Sequence, residues 1–205
     1  MNLLYLDTAT PNLFLGIAKG KEDFIYQAQV GNQHAVLLLP ALAELLRSAD
    51  LNLKKDINAI FWANGPGSFT GLRIAGAMAQ AFSWVAGQPI FGLSNLEVLA
   101  QYAYFNLEQL QKSEITVALD ARKAEYYQAE YLLNKSSHTI SQIGEVKLVS
   151  CSDLSSEALV FDQAVIGEDL VKAALFLARH YYSQWDPKTY NINQHLIPNY
   201  VRNSI

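Results

Sequence analysis

The stretch from residue 57 to residue 86 constrains the fold more than any other part of the sequence. An apolar run, Ile57 to Ala63, is followed by a glycine-rich turn and then by a long apolar segment, Gly71 to Ala86, whose single charge is Arg73. The spacing predicts a buried β-strand and then a helix. A helix that is apolar on every side must be covered on more than one face, so we expect a layered α/β structure.

The residues before this stretch predict a hairpin array and a helix. Apolar runs separated by turn residues predict three antiparallel strands at Leu3 to Leu6, Leu13 to Ala18 and Phe24 to Val30. A helical pattern of leucines follows, ending at Ala49. Because proline is tolerated only near the first turn of a helix, Pro40 predicts that this helix begins close to Val36.

The second half of the chain repeats this alternation of strands and helices on a smaller scale. After a strand at 89–93 and a helix at 95–106, which still belong to the first half, we predict strands at 115–119, 125–133, 139–149 and 164–167, a helix at 169–182 and an irregular tail from residue 185. A polar cluster near residues 107–113 predicts a boundary between an N-terminal lobe, 1–107, and a smaller C-terminal lobe, 108–205. The fold class is α/β, with mixed sheets flanked by helices.

Composition narrows the range of functions. The 205 residues include 15 Lys and Arg against 19 Asp and Glu, and a formal charge of -4 argues against a protein that mainly neutralises nucleic-acid phosphates. A single cysteine, Cys151, excludes an intramolecular disulfide and favours a reducing cytoplasm. The sequence shows no signal peptide and no membrane segment, so we expect no membrane partner.

The glycine-rich turn has two interpretations. Gly67, Ser68 and Arg73 lie at the start of a predicted helix, where backbone N–H groups could bind a phosphate. The turn lacks the Gly-Lys-Ser/Thr ending of a Walker loop and the Gly-x-Gly-x-x-Gly fingerprint. Alternatively, it is a tight turn in which Ser68 or Thr70 caps the helix, and local physics favours this second interpretation.

Two other polar segments also have two interpretations each. Asp7, Thr8 and Thr10 follow the first predicted strand, where they could face a phosphate or a magnesium ion, but the residues alone favour a turn that they stabilise. Arg122 lies in a charged segment between two predicted strands, which is either a hairpin ion-pair cluster or part of a cleft.

The histidines and serines predict no catalytic or metal site. None of the four histidines is spaced for a helical metal site, so each is expected to be a surface or packing residue. Ser68 lacks the glycine two positions later that a Gly-x-Ser-x-Gly nucleophile elbow requires, because Thr70 stands there. We therefore predict no catalytic residue and no metal ligand.

The two apolar helices allow a hydrophobic docking surface or an ordinary two-layer core, and the pattern alone favours neither. Gly71, Ala75 and Ala79 recur at every fourth position, which would let a second helix approach closely. The predicted partner-interface residues are His34, Leu37, Leu38, Ala41, Leu45, Gly71, Leu72, Ile74, Ala75, Met78, Ala79 and Phe82.

Several segments together resemble the bacterial TsaB family, also called YeaZ. The most specific is Asn64-Gly65-Pro66-Gly67-Ser68-Phe69-Thr70-Gly71-Leu72-Arg73-Ile74. His34 ahead of Leu37 to Pro40, the segment Ala118 to Arg122 with Glu125 and Tyr126, and Pro198 to Asn203 support it. The resemblance runs along the whole chain and implies an actin-like ATPase fold of the sugar-kinase and heat-shock-protein type, with two related lobes.

The resemblance also implies a function. TsaB proteins are non-catalytic partners of the paralogue TsaD in the complex that installs N6-threonylcarbamoyladenosine at position 37 of tRNAs reading codons that start with A. It implies that the ATPase TsaE joins this complex, that tRNA is contacted indirectly, and that a homodimer forms when TsaD is absent. No intrinsic cofactor is implied, although ATP or ADP with Mg could bind at the complex interface.

Two alternatives remain, an independent nucleotide-binding ATPase or a glycoprotease-like peptidase. The candidate nucleotide-proximal residues are Asp7, Thr8, Thr10, Gly67, Ser68, Arg73 and Arg122. Of these, Asp7, Thr8, Ser68 and Arg122 would line an independent active site. The peptidase is disfavoured, because the motifs supply neither metal ligands nor an activated nucleophile.

Overall fold

The computed structural model describes residues 1–106, 113–162 and 167–201. The first sheet has the strand order β3-β2-β1-β4-β5. Its strands are β1 (Asn2–Asp7), β2 (Asn12–Lys19), β3 (Glu22–Gln29), β4 (Ala59–Gly65) and β5 (Ile90–Ser94). The first three strands are antiparallel, as predicted, and β4 and β5 continue the sheet in parallel with β1. The predicted mixed sheet is therefore confirmed.

Four helices belong to the first half of the chain. They are α1 (His34–Ser48), α2 (Leu53–Asp56), α3 (Phe69–Ala86) and α4 (Asn95–Asn106). Helix α3 ends where Gly87 adopts a left-handed conformation, with φ of 68°, and its N–H donates to the Ser83 carbonyl. The sequence pattern missed α2 because this helix is a single turn without a buried residue.

The second sheet has the order β8-β7-β6-β9. Its strands are β6 (Glu114–Asp120), β7 (Glu125–Asn134), β8 (Thr139–Ser150) and β9 (Leu159–Phe161). Helices α5 (Glu168–Gln184) and α6 (Ile192–His195) follow. The prediction missed the three-residue β9 and the one-turn α6, while the strand predicted at 164–167 falls almost entirely outside the described residues.

Strand alternation divides the core into two apolar clusters, one on each face of the first sheet. Leu4 and Leu6 of β1 pack with α1 and α3, whereas Leu3 and Tyr5 pack with α4, α5 and the second sheet. Successive strand residues point to opposite faces, so a sheet with apolar residues at both alternations must be covered on both sides. The two layers of helices supply that cover.

The start of α1 differs from the prediction. The helix begins at His34, which places Pro40 in its second turn rather than its first. Proline has no N–H, so it cannot donate to the carbonyl oxygen of Val36. Val36 and Pro40 both lie on the solvent side, where water can bond to that oxygen, and the helix therefore tolerates the proline.

The predicted division into lobes 1–107 and 108–205 stays a prediction, because residues 107–112 lie outside the described ranges. The two sheets come from the two sides of this division. Helix α5 nevertheless packs against β1, β2 and β3 of the first sheet as well as against α4. Within the described ranges, no helix is both long and apolar enough to cross a lipid bilayer.

Candidate functional site

Six of the predicted site residues meet in one cleft of about 510 Å³. The turn after β1, the loop before α1, the N-terminus of α3 and the β6–β7 turn surround it. The predicted residues that line it are Thr10, His34, Ser68, Gly71, Ile74 and Arg122. The structure thus brings together residues from both halves of the chain, which sequence spacing alone could not do.

The glycines of the α3 loop allow close contact with the turn after β1. A Cβ on Gly67 would lie 2.9 Å from the carbonyl oxygen of Ala9, and one on Gly71 would overlap the carbonyl oxygen of Thr8. Two hydrogen bonds hold the loops together: Thr8 Oγ1 donates to the Gly71 carbonyl (2.7 Å), and Ser68 N donates to the Ala9 carbonyl (2.8 Å). Packing of two backbones therefore accounts for both glycines without a ligand.

The capping interpretation of this loop is confirmed. Ser68 is the N-cap of α3, and its hydroxyl accepts a hydrogen bond from the Gly71 N–H at 3.3 Å. Arg73 does not line the cleft. Its guanidinium lies over the Phe69 ring, 3.8 Å from the ring centre.

Asp7 is buried and its carboxylate is fully engaged. One oxygen accepts from the Ala9 N–H at 2.7 Å, and the other accepts from the side chains of Asn95 and Tyr5. Burial raises the pKa of the Asp7 carboxyl to about 6, although these hydrogen bonds act in the opposite direction. The Thr10 hydroxyl stabilises the turn that contains it, since it accepts a hydrogen bond from the Asn12 N–H at 3.2 Å.

The cleft suits an anion better than a magnesium ion. Arg122 contributes a positive charge, and the N-terminus of α3 opens onto the cleft beside it. No carboxylate belongs to the described lining, because Asp7 is turned into the core. Across the described ranges, no three His, Cys, Asp or Glu side chains are grouped closely enough to hold a metal ion.

His34 is a packing residue, one of the two roles that the sequence left open for the histidines. The side chain is buried, and its Nε2 lies 3.2 Å from the carbonyl oxygen of Asn12. This contact fixes the start of α1 against the start of β2. His195 is partly buried against Phe91 and Tyr190, and burial lowers its pKa.

Most of the predicted partner-interface residues lie in this chain's own core. The fully or nearly buried ones are His34, Leu38, Ala41, Leu45, Gly71, Leu72, Ala75, Ala79 and Phe82. Leu37, Ile74 and Met78 are half-buried. A charge at Leu38 or Ala75 would therefore test the folding of the chain and not its docking.

The helices expose apolar residues that were not among the predicted site residues. These are Val36 and Leu39 on α1 and Phe69, Trp84 and Val85 on α3. The helical period of α1 was sufficient to predict which of its residues are exposed. Once Leu38, Leu42 and Leu45 are assigned to the inner face of α1, positions 36 and 39 fall on the outer one.

The tail contacts the glycine-rich loop, a contact that the irregular sequence of the tail did not indicate. Asn199 N donates to the Asn64 carbonyl at 2.6 Å, and a Cβ on Gly65 would lie 2.8 Å from the Asn199 carbonyl oxygen. The Tyr200 ring packs on Phe69, with 5.2 Å between the ring centres.

Comparison with known proteins gives these features a family context. A family model described as TsaD, tRNA N6-adenosine threonylcarbamoyltransferase, matches residues 26–180. The chain belongs to this family. The TsaD family has the actin-like ATPase fold, so the predicted fold class is confirmed.

Curated relatives of this TsaD-family chain are named tRNA threonylcarbamoyladenosine biosynthesis protein TsaB. The one from Buchnera aphidicola is 34% identical over 134 residues, which are 65% of this chain and 62% of that protein. The one from Haemophilus influenzae is 31% identical over 135 residues, 66% of this chain and 56% of that protein. The chain thus spans little more than half the length of these relatives, and the predicted TsaB resemblance is confirmed.

Two solved structures from Pseudomonas aeruginosa have the same fold over nearly their whole length. One, described as similar to the peptidase YeaZ, has a TM-score of 0.78 and 25% identity and covers 98% of this chain and 99% of its own. The other, YeaZ, has a TM-score of 0.79 and 24% identity, with 97% and 99% covered.

Proposed function

We propose that this chain is a non-catalytic partner of TsaD in the complex that forms N6-threonylcarbamoyladenosine in tRNA. Its place in the TsaD family and its similarity to proteins named for the biosynthesis of this nucleoside support the proposal. In this proposal TsaE joins the complex, tRNA is contacted through the other subunits, and the chain pairs with itself when TsaD is absent. The complex works in the cytoplasm.

The observation that carries the proposal is the exposed apolar surface of α1 and α3. Val36 is 71% exposed and Trp84 is 90% exposed, and Leu39 and Val85 lie beside them on the same helices. Each helix therefore exposes two large apolar side chains, a kind of surface that another protein typically covers. The half-buried Leu37, Ile74 and Met78 would border such a contact.

The contacts inside the candidate site support a role without chemistry. The Ser68 hydroxyl accepts a hydrogen bond from the Gly71 N–H and caps α3, a structural role that accounts for this serine. A carboxylate that held magnesium would have to face the cleft, but the Asp7 carboxylate accepts hydrogen bonds from Ala9, Asn95 and Tyr5. In this proposal the Mg²⁺ of an ATP or ADP at the complex interface is therefore held by TsaD, while Arg122 faces the phosphates.

The experiment that tests the proposal is reconstitution with TsaD. Light scattering should show a mixed complex, and transfer of the threonylcarbamoyl group to tRNA should require both proteins. Neither protein alone should carry out the transfer. Failure to form a mixed complex, with or without ATP, would exclude the partner role.

Surface variants test the docking surface. Val36→Glu on α1 and Trp84→Glu on α3 should each weaken the mixed complex at least tenfold while leaving the monomer folded, because both side chains are exposed. The control is Val160→Glu on β9, an exposed apolar residue of the other sheet, which should bind TsaD normally. Unchanged TsaD binding by both helix variants would show that the interface lies on another surface of the chain.

Nucleotide binding by the isolated chain is the second candidate. Arg122 and the N-terminus of α3 in one cleft favour it. Titration calorimetry with ATP and Mg²⁺ should then give heat that Arg122→Ala removes, and no heat at millimolar nucleotide would exclude an independent ATPase.

A further inference from the structure

A second cavity, of about 440 Å³, lies where β5, the first turn of α4, the end of α5 and α6 meet. It is separate in its lining from the cleft at Arg122. Its wall is mainly aromatic and contains a single carboxylate. Its lining includes the side chains of Phe91, Glu97, Tyr181, Trp185 and His195. We call it the aromatic cavity.

The rings of the aromatic cavity form a corner. The planes of Phe91 and Trp185 meet at 87°, with 6.3 Å between the ring centres, and the His195 ring lies 5.1 Å from Phe91. Tyr190 contacts Phe91, Trp185 and His195, so the corner is held in place by a fourth ring. The face of an aromatic ring is negative, and rings at an angle to each other are the usual lining of sites for organic cations.

Glu97 adds a carboxyl group to this wall, the one acidic side chain in its described lining. It accepts a hydrogen bond from the Tyr181 hydroxyl, and the backbone N–H of Ser94 also bonds to it. Both donors are neutral, so they orient the carboxylate without cancelling its charge. Burial raises the pKa of the Glu97 carboxyl, although both hydrogen bonds act in the opposite direction, and a cation beside it would favour the ionised form.

The described lining of the cavity carries no positive charge that would repel a cation. The described lining includes no lysine or arginine. Burial lowers the pKa of His195, so this imidazole is neutral near pH 7.

We propose that the aromatic cavity binds an ammonium group carried on an alkyl chain, with Glu97 as its counter-charge and Phe91, Tyr181 and Trp185 as its aromatic walls. The group could belong to a free amine or to a lysine side chain of another protein, and the chemistry is the same for both. The proposal does not depend on the partner role described above.

The first test compares two ligands of equal shape on the unchanged protein. Choline carries a quaternary ammonium, and 3,3-dimethylbutan-1-ol replaces its nitrogen with carbon. The indole N–H signal of Trp185, assigned with Trp185→Phe, should shift and saturate with choline but not with the alcohol. Equal shifts with both ligands, or no shift with choline, would overturn the proposal.

A matched pair of variants then tests the counter-charge. Glu97→Gln keeps a partner for the Tyr181 hydroxyl but removes the charge, so choline binding should weaken at least tenfold. Glu44→Gln removes an exposed carboxylate from α1 and should leave choline binding unchanged. Equal choline affinity in the two variants would contradict the assignment of Glu97.

Two further probes distinguish the sources of the ammonium group. Butylammonium represents a free amine, and a blocked Gly-Lys-Gly peptide represents a protein lysine. Binding of the peptide at least tenfold more tightly than butylammonium would identify a protein lysine, and the reverse order would identify a free amine. Absence of binding by both would count against the site itself.

Discussion

The Thr8 hydroxyl donates a hydrogen bond to the carbonyl oxygen of Gly71, with 2.7 Å between the two oxygen atoms. This bond joins the turn after β1 to the first turn of α3, across 63 positions of sequence. It can form because Gly71 has no Cβ, which would overlap the Thr8 carbonyl oxygen. The glycine-rich loop is therefore a structural joint between the first strand and the apolar helix.

Gly71→Ala should destabilise the protein by at least about 3 kcal/mol, because the added methyl group meets backbone that cannot move away. Urea unfolding followed by circular dichroism would measure the loss. Gly167→Ala is the control, since nothing lies within 4 Å of the added Cβ. Its cost should not exceed about 1 kcal/mol, the usual cost of alanine at an N-cap. Equal losses of stability in the two variants would mean that the turn after β1 and the start of α3 can move apart to make room for the methyl group.

Truncating two neighbouring leucines of α1 to alanine should change the free energy of unfolding by very different amounts. Leu38 is 1% exposed and Leu39 is 52% exposed, although they are adjacent in the sequence. Leu38→Ala leaves a cavity against the first sheet and should cost about 2–5 kcal/mol. Leu39→Ala should change the free energy of unfolding by about 0.5 kcal/mol or less. Similar values for the two variants would show that α1 is rotated relative to its position here.

Asp7 should make the stability depend on pH. Burial raises its pKa from 3.8 to about 6, so the folded protein retains a proton that the unfolded chain has lost. The contribution of this group is therefore complete below about pH 4, falls as the pH rises, and is lost above about pH 6, a decrease of at most about 3 kcal/mol.

Asp7→Asn removes this titration. The free energy of unfolding of the variant, minus that of the unchanged protein, should increase from pH 4 to pH 7. Glu97 titrates in the same direction but is present in both proteins, so the difference isolates Asp7. Parallel pH profiles would contradict the raised pKa.

Tyr190 binds the outer edge of β5. Its hydroxyl accepts from the Ile90 N–H at 2.9 Å and donates to the Ile90 carbonyl at 2.7 Å, which satisfies both polar groups of that strand residue. Tyr190→Phe keeps the ring contacts but removes both bonds and should cost about 1–3 kcal/mol. Tyr200→Phe is a suitable control, since Tyr200 is also a tail residue and its ring packs on Phe69 of α3. Thermal unfolding of the two variants should separate them by several degrees.

The local pattern predicted the regular elements well because each of them has a period that its own residues display. The alternation at Leu3 to Leu6 predicted β1, and the repeat of Leu38, Leu42 and Leu45 predicted α1. Elements of one turn or three residues, such as α2, β9 and α6, are too short to show a period. Strand β9 forms because it pairs with β6, and the single turns α2 and α6 each follow an asparagine, Asn52 or Asn191, whose side chain accepts backbone hydrogen bonds.

The sequence by itself determined the α/β class, the order of the longer strands and helices, a cap at Ser68 or Thr70 and the resemblance to TsaB, since each depends on residues close together in the chain. Only the tertiary structure decided which apolar residues are covered. It buried Leu38 and Ala75, left Val36 and Trp84 exposed, and brought Glu97 to Trp185. These outcomes depend on which elements pack together, and packing between distant segments leaves no period in the sequence of either one.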